Sequence, residues 1–369
     1  MICQKFDRDK VVFKKLSERK NKVFIKNDIV PLTRKPASFN DPDLSLIRLT
    51  SQRIQKARQS EAAVILAFGA HTIKNGMALA LIALMEDGWI THLATNGAAI
   101  IHDWELAFQG KTSEDVRENL TLGQFGIWEE TGFYINLALA VGAYEGLGYG
   151  ESVGKLISNE GLQIPEPEKL YADAQALMRR DPDTSSAAID LAGIIQKFNL
   201  LPGFMAIPHP FKKYSVQSRA FELGIPFTGH PMFGHDIIYC HPANNGAIVG
   251  RTAQRDFLCY AESVKNLDNG VYLSLGSAVM SPMIFEKSLS MTQNIKIQSH
   301  EHLDNHFILT VDLVKSEWDW QKNGEPPADN PAYFQRYLKT FSRMGGESHY
   351  LTADNRDFLL ALYHQLSEK

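Results

Sequence analysis

Four short segments of the 369-residue chain combine glycine with polar side chains, among them histidine, acids and lysine. They are GAHTIKNG at residues 69–76, TNGAAIIHDWE at 95–105, GHPMFGHDIIYCHP at 229–242 and LGSAV at 275–279. Imidazole and carboxyl groups transfer protons near neutral pH, and glycine lets backbone N–H groups approach a phosphate. The segments therefore hold candidates for acid–base catalysis and for nucleotide binding. The catalytic candidates are His235, Asp236, His102 and Lys74.

Each segment follows a predicted strand. The apolar run 61–69 predicts a buried strand that leads into a helix over 72–86, and 89–95 predicts a second strand followed directly by a helix. Further strands are predicted at 203–207, 225–228, 270–275 and 307–313. Buried strands alternating with amphipathic helices are typical of a doubly wound parallel α/β sheet, whose ligands gather at the carboxyl ends of the strands. We therefore expect the four segments to meet at one crevice.

The rest of the chain predicts additions to this sheet. Residues 1–60 are expected to form a basic arm and a helix, and the arm is expected to be solvated, since residues 1–35 contain eleven Lys or Arg against four acids. Residues 61–325 form the predicted α/β domain, with a helical excursion over 126–199 in which no strand is predicted. Residues 326–369 add two C-terminal helices to the same domain, at 332–340 and 354–366.

Composition argues against several classes of protein. The formal net charge of −4 provides no positive field for nucleic acid. Three cysteines without a spaced framework favour a reducing compartment over a secreted disulfide scaffold. The longest apolar stretch, residues 77–85, is far shorter than the roughly 20 residues that cross a bilayer. We expect a cytoplasmic protein with a small-molecule substrate and without nucleic-acid or membrane partners.

A nucleotide pyrophosphate is the ligand that the glycine turns favour, because a helix N-terminus adds about half a positive charge. No segment contains G-x-G-x-x-G, and a glycine needed only for a tight turn is the alternative at each position. Lys74 is predicted in the first turn of a helix, where a ligand phosphate or carboxylate would offset its unfavourable interaction with the helix dipole. The alternative is that its side chain extends to solvent. Asp103 is predicted at a helix start, where it either caps that helix or binds a ribose hydroxyl.

Three histidines within twelve residues, His230, His235 and His241, suggest a metal site as an alternative. His102 and Asp103 could join this cluster, and a metal-assisted hydrolase would use His102, Asp103, His235 and His241 around a polarised water. Their spacings of five and six residues match no zinc signature, so no metal ligand is predicted. A non-catalytic nucleotide-binding protein is the third hypothesis.

The order of these segments resembles deoxyhypusine synthase and its bacterial look-alikes over roughly residues 62–313. The most specific pieces are TNGAA before an acidic helix and GIPF followed by GHDIIYCHP. The resemblance implies a three-layer Rossmann-like parallel sheet that binds NAD without G-x-G-x-x-G, in a homotetramer with sites at subunit interfaces. It also implies that the dinucleotide contacts Gly69, His71, Asn75, Thr95, Asn96, Gly97, Asp103, Gly234, Gly276 and Ser277.

Two features depart from that family. Its late lysine, which carries a butylamine group as an imine, has no matching motif here, since Lys315 and Lys322 lie outside the pattern. His102 and Asp103 also stand where the family shows paired acids. We therefore expect an NAD-dependent enzyme that oxidises an amine or polyol substrate, with possible group transfer and with His235 as the base, rather than the hypusine reaction itself.

Overall fold

The computed structural model describes residues 3–367 and divides into two compact units. Among the described residues, the helical unit comprises 3–27, 100–218 and 231–256. The sheet unit comprises 28–99, 219–230 and 257–367.

The strands of the described residues fall into one large sheet and two small ribbons. In chain order they are β1 (Val23–Phe24), β2 (Val64–Phe68), β3 (His92–Thr95), β4 (Lys111–Thr112), β5 (Gly161–Ile164), β6 (Gly203–Ala206), β7 (Phe227–Gly229), β8 (Val271–Leu275), β9 (Phe307–Asp312) and β10 (Glu347–Thr352).

The helices account for most of the remaining regular structure. They are α1 (Ile25–Asp28), α2 (Asp41–Gln59), α3 (Ala70–Lys74), α4 (Ala78–Glu86), α5 (Gly97–Gln109), α6 (Val116–Thr121), α7 (Glu129–Glu145), α8 (Tyr149–Asn159), α9 (Pro167–Leu177), α10 (Pro182–Lys197), α11 (Val216–Leu223), α12 (Gly246–Lys265), α13 (Met280–Gln298), α14 (Trp320–Asn323), α15 (Arg336–Phe341) and α16 (Asn355–Ser367). Short 3₁₀ helices lie at Arg8–Lys10, Leu16–Glu18, Lys212–Tyr214, Ile237–Cys240 and Pro331–Phe334.

The large sheet has six parallel strands in the order β10-β9-β8-β2-β3-β7. The chain starts in the middle with β2, adds β3 and β7 on one side, and then returns to add β8, β9 and β10 on the other. This is the strand order of a Rossmann sheet, in which the order reverses between two central strands. The predicted doubly wound α/β class is confirmed, and β2 and β8 flank the reversal.

Helices cover both faces of this sheet. Every residue of β2 is buried, as expected of a parallel strand packed on both sides. On one face Ile65 and Tyr272 pack into a core with Tyr260 of α12, Phe285 of α13 and Phe341 of α15. Helices α2 and α16 contact each other and the strands β2, β8 and β9. The result is a three-layer arrangement of helices, sheet and helices.

The helical unit contains one strand that was not predicted from the sequence and one that was predicted to lie in the large sheet. β5 and β6 form an antiparallel ribbon, with Gly161 opposite Ala206. The expectation of no strand within 126–199 is therefore wrong, and the strand predicted at 203–207 does not join the large sheet. Residues of β6 alternate between partly buried and exposed, which suits a two-stranded ribbon and not the interior of a parallel sheet.

The N-terminal arm is not simply solvated. Leu16 and Arg19 are buried, and the Arg8 guanidinium donates to the carbonyl of Tyr239 and to Asn244. The prediction of a solvated arm is wrong for these residues, because net charge does not reveal that individual arginines find buried or partly buried acceptors.

Two further expectations are corrected in the sheet unit. The helix predicted over 72–86 is divided into α3 and α4 by Gly76, which has φ +78° and lies against the backbone of Asp28. β10 lies between the two predicted C-terminal helices and completes one edge of the sheet. It is mostly half-buried and carries polar residues, as edge strands often do, so it lacks the apolar run that marked the central strands.

No helix among the described residues is long and apolar enough to span a membrane.

We predict that Gly76→Ala destabilises the sheet unit more than Gly88→Ala. Both glycines have positive φ, at +78° and +74°, so both substitutions carry a left-handed strain of about 1–2 kcal/mol. A Cβ at residue 76 would also lie 1.9 Å from the carbonyl oxygen of Asp28, whereas a Cβ at residue 88 meets no atom within 4 Å. Urea unfolding should therefore show an additional loss of about 1–3 kcal/mol for Gly76→Ala. Equal losses would contradict the close approach at Gly76.

Candidate functional site

The carboxyl ends of four neighbouring strands are level at one edge of the large sheet. Phe68 at the end of β2 pairs with Thr95 of β3 and with Leu275 of β8, and Thr95 pairs with Gly229 of β7. The residues that follow these strands therefore lie at the same edge. The predicted site residues among them are Gly69, Asn96, Gly97, Gly276 and Ser277.

The turns after β2 and β8 pack against each other where the strand order reverses. The N–H of Gly69 donates to the carbonyl of Leu275 at 3.0 Å. A Cβ at residue 69 would lie 2.1 Å from the carbonyl oxygen of Gly276, so only glycine fits there. Gly276 has φ +54°, and a Cβ on it would meet no atom within 4 Å, so open space lies beside this turn.

Two long helices begin at this edge, directly after β3 and β8. The Asn96 side-chain oxygen accepts from the N–H of Ala99 at 3.0 Å and caps α5. The Ser277 hydroxyl accepts from the N–H of Ser281 at 3.2 Å near the start of α13. The positive ends of both helix dipoles are therefore located at the edge, on either side of β2.

Helix α3 contains His71 and Lys74, and Asn75 caps its C-terminus. Lys74 is the last residue of this five-residue helix, so its predicted position in the first turn of a helix is wrong, and it carries no penalty from the dipole. His71 is exposed over much of its surface. Burial of the rest of the side chain, and then the positive charge of Lys74, lower its pKa. The Asn75 amide donates to Asn355 at 3.0 Å, which ties α3 to the start of α16.

Thr95 is fully buried, and its hydroxyl donates to the carbonyl of Phe68 at 2.7 Å. This bond holds the ends of β2 and β3 together. The side chain of Thr95 therefore supports the edge from within the sheet.

In the helical unit, Asp103 caps a helix other than its own. Its carboxylate accepts from the hydroxyl of Ser215 at 2.6 Å, from the N–H of Val216 at 2.9 Å and from the N–H of Gln217 at 3.3 Å. Burial raises the pKa of Asp103 to about 6, against the effect of these hydrogen bonds. The predicted position at a helix start is wrong, because α5 already begins at Gly97 and Asp103 lies in its middle. A contact between Asp103 and a dinucleotide stays a prediction.

His102 belongs to a buried network built around an ion pair. The guanidinium of Arg19 donates to both carboxylate oxygens of Glu105, at 2.7 and 2.6 Å, and the hydroxyls of Thr131 and Thr112 donate to the same carboxylate. Nδ1 of His102 contacts the Thr112 hydroxyl at 2.8 Å. Burial opposes ionisation of Glu105, but Arg19 holds the pKa of this carboxyl below its usual value. The sequence did not indicate this pair, since Arg19 and Glu105 are 86 residues apart.

Gly234, His235 and Asp236 lie in the loop before the 3₁₀ helix Ile237–Cys240. Gly234 and His235 are exposed, and Asp236 is largely buried. Burial raises the pKa of Asp236 to about 7. This value places its titration in the range that suits a general acid or base.

Three buried oxygen atoms in this part of the helical unit lack hydrogen-bond partners among residues 3–367. They are Oδ2 of Asp236 and the hydroxyls of Tyr149 and Tyr239. Burial raises the pKa of both tyrosines, and the charge of Asp236 raises them further. Buried polar groups are normally paired, so such a cluster is a candidate for ligand binding. No sequence signal identified Tyr149, whereas Tyr239 lies within the segment that contains Asp236.

Metal ligation has no cluster to support it in the described part of the chain. Among residues 3–367 no group of three or more His, Cys, Asp or Glu side chains could hold a metal ion. Of the histidines considered, His241 accepts from the N–H of Ala243 through Nδ1 at 3.0 Å.

A cavity of about 580 Å³ lies at the opposite edge of the sheet, beside the amino ends of β8, β9 and β10. Its lining includes Arg53, Lys56 and His306 and none of the predicted site residues. In a parallel sheet the ligand crevice forms outside the carboxyl ends, so this cavity does not change the assignment of the site.

The fold and site thus define a Rossmann-type sheet with a glycine-lined switch point. No family model and no curated protein matches the chain. Solved structures similar to it include AgrE in its ternary complex with ornithine and NAD⁺, at 15% identity and a TM-score of 0.44, covering 91% of this chain and 34% of AgrE. The chain thus spans about a third of the length of AgrE.

Two other similar structures have lengths closer to that of this chain. A "conserved putative LOR/SDH protein" from Methanococcus maripaludis has 13% identity and a TM-score of 0.42, covering 90% of this chain and 72% of that one. A "putative deoxyhypusine synthase" from Entamoeba histolytica has 12% identity and a TM-score of 0.39, covering 88% and 87%. The second of these structures carries the name of the family that the sequence resembles.

We predict that Asp236→Asn stabilises the protein increasingly as pH rises from about 5 to 7. The folded pKa of about 7 lies above the ordinary value of 3.8, so between these values the folded state holds a proton that the unfolded state has lost. Wild-type stability then falls by up to about 1.4 kcal/mol per pH unit because of this group and levels off above pH 7. Asparagine removes that dependence.

The measurement is the difference in unfolding free energy between Asp236→Asn and wild type at pH 5, 6, 7 and 8. The difference should grow up to pH 7 and then stay constant. A difference that does not vary with pH would contradict the burial of an unpaired carboxyl at residue 236.

Proposed function

We propose that this protein is an NAD-binding enzyme that oxidises an amine or hydroxyl group of a small molecule, with possible group transfer. The observation that carries the proposal is the meeting of Gly69 and Gly276 at the reversal of strand order. Dinucleotides bind Rossmann sheets outside the carboxyl ends of the strands at this point.

The residues at this edge suit a dinucleotide in two respects. The open space beside Gly276 lets a ligand approach the backbone closely. The N-termini of α5 and α13 offer backbone N–H groups and positive dipole ends to a pyrophosphate. Gly69, Asn96, Gly97, Gly276 and Ser277 would hold the cofactor there. His71, Asn75 and Thr95 are the other predicted cofactor contacts in the sheet unit, and cofactor contacts of Asp103 and Gly234 remain predictions.

NAD, when bound, supplies a hydride acceptor. The chain must supply a group that accepts the proton from the substrate hydroxyl or amine. The predicted candidates for this group are His235, Asp236, His102 and Lys74, of which Lys74 belongs to the sheet unit. The raised pKa of Asp236, about 7, suits proton transfer near neutral pH.

Two alternative functions, a metal-assisted hydrolase and a non-catalytic nucleotide-binding protein, can be distinguished from this one by experiment. A metal-assisted hydrolase predicts a stoichiometric transition metal in purified protein, and a non-catalytic nucleotide-binding protein predicts NAD binding without hydride exchange when amines and polyols are screened. Denaturing the purified protein and identifying the released small molecules and metals distinguishes the hydrolase from the NAD-binding enzyme.

We also propose that the protein is a homo-oligomer, with a tetramer favoured.

We predict that NAD raises the melting temperature of the wild-type protein and of Gly276→Asn but not of Gly276→Asp. Asparagine and aspartate both tolerate positive φ and have the same shape, and a Cβ at this position meets no atom within 4 Å. Only aspartate places a negative charge beside the proposed pyrophosphate. At 100 times the Kd, NAD should stabilise the wild type by about 2.7 kcal/mol.

Thermal unfolding with and without NAD is the measurement. Loss of the NAD effect in both variants would indicate that the added side chain blocks the site sterically, which also supports this location. An equal NAD effect in all three proteins, or none in the wild type, would overturn the proposal.

A further inference from the structure

A chain of hydrogen bonds crosses the sheet unit on the face that α12 covers. The Ser263 hydroxyl contacts Nδ1 of His92 at 2.8 Å, and Nε2 of His92 contacts the Thr228 hydroxyl at 2.9 Å. The same hydroxyl contacts Nε2 of His230 at 2.9 Å. His92 is the first residue of β3, whereas His230 directly follows β7. This series of hydrogen bonds therefore runs from the amino end of β3 to the carboxyl edge of the sheet, at which we place the cofactor.

The middle of this chain is closed to solvent, and its outer end is not. His92, Thr228 and His230 are 0%, 1% and 8% exposed, while Ser263 is partly exposed. The ring of Tyr260 packs edge-on against both imidazoles, with centroids at 5.6 and 5.3 Å. Burial lowers the pKa of both histidines to about 3, so each ring is neutral near pH 7 and carries one N–H and one lone pair.

The Thr228 hydroxyl couples the two rings because it has a single hydrogen. When Thr228 donates to His230, it must accept from Nε2–H of His92, and His230 then carries its proton on Nδ1. When Thr228 donates to His92, it must accept from Nε2–H of His230, and His92 then carries its proton on Nδ1. The two histidines therefore hold opposite tautomers in either state.

We propose that His230, Thr228, His92 and Ser263 form a proton relay that takes up, at Nδ1 of His230, a proton that the base has accepted from the substrate, and delivers a proton to solvent at Ser263. The inference rests on the proposed function, because oxidation of an alcohol or amine carbon releases a hydride, which NAD accepts, and a proton from O–H or N–H.

Each transfer in the relay breaks one bond to hydrogen and makes another. A proton binds Nδ1 of His230, whose Nε2 proton passes to Thr228, and the Thr228 proton passes to Nε2 of His92. The Nδ1 proton of His92 passes to Ser263, whose own proton leaves to water. One proton enters and one leaves, both rings end neutral, and the two histidines have exchanged tautomers.

Histidine side-chain NMR on ligand-free protein tests this directly. Long-range ¹H–¹⁵N spectra distinguish the two tautomers, and His92→Gln and His230→Gln assign the signals among the twelve histidines. We expect opposite tautomers on the two rings, interconverting at one common rate. Ser263→Ala removes the outlet at a partly exposed position and should slow this exchange at least tenfold.

Thr228→Ser and Thr228→Val form the matched pair for the coupling hydroxyl. Thr228→Ser should keep the common rate, whereas Thr228→Val should let each ring adopt its tautomer independently. Equal tautomers on both rings, a single fixed tautomer on each, or exchange unaffected by Ser263→Ala would overturn the relay. Since these spectra need no cofactor, a failure of NAD binding would be recognised separately.

Discussion

The backbone contact between Gly69 and Gly276 is the constraint on which the proposed site depends. The carbonyl oxygen of Gly276 occupies the volume in which any side chain at residue 69 would begin. This contact lets the turns after β2 and β8 lie side by side where the strand order reverses. The same geometry leaves open space next to Gly276 and places the starts of α5 and α13 on either side. Phosphate-binding capacity thus arises from the topology of the sheet and does not require G-x-G-x-x-G.

Buried polar groups in the helical unit are paired to different degrees. Arg19 and Glu105 satisfy each other with two short bonds, and Asp103 is surrounded by donors at the start of α11. Such groups stabilise the fold and have little capacity left for a ligand. Asp236 is the contrasting case, since it keeps an unpaired oxygen and its pKa is raised to about 7. A buried ionisable group that lowers the stability of the fold and has no structural partner is the better candidate for a catalytic role.

The central strands could be predicted because a parallel strand buried on both faces is a continuous apolar run, as VILAF of β2 shows. β5 and β10 could not, because a short ribbon and a polar edge strand lack that run. The turns at Gly69, Asn96 and Gly276 were found from glycine and amide residues after predicted strands. The partners of Asp103 and the position of Tyr149 depend on contacts distant in sequence, which no local pattern encodes.

Hydrogen–deuterium exchange with and without NAD tests the central claim most directly. If the dinucleotide binds at the switch point, its phosphates must engage backbone N–H groups in the turns at residues 69–71, 96–99 and 276–281, and NAD should slow exchange there. Protection confined to other parts of the chain, such as the cavity lined by Arg53 and His306, or no protection at all, would contradict the account.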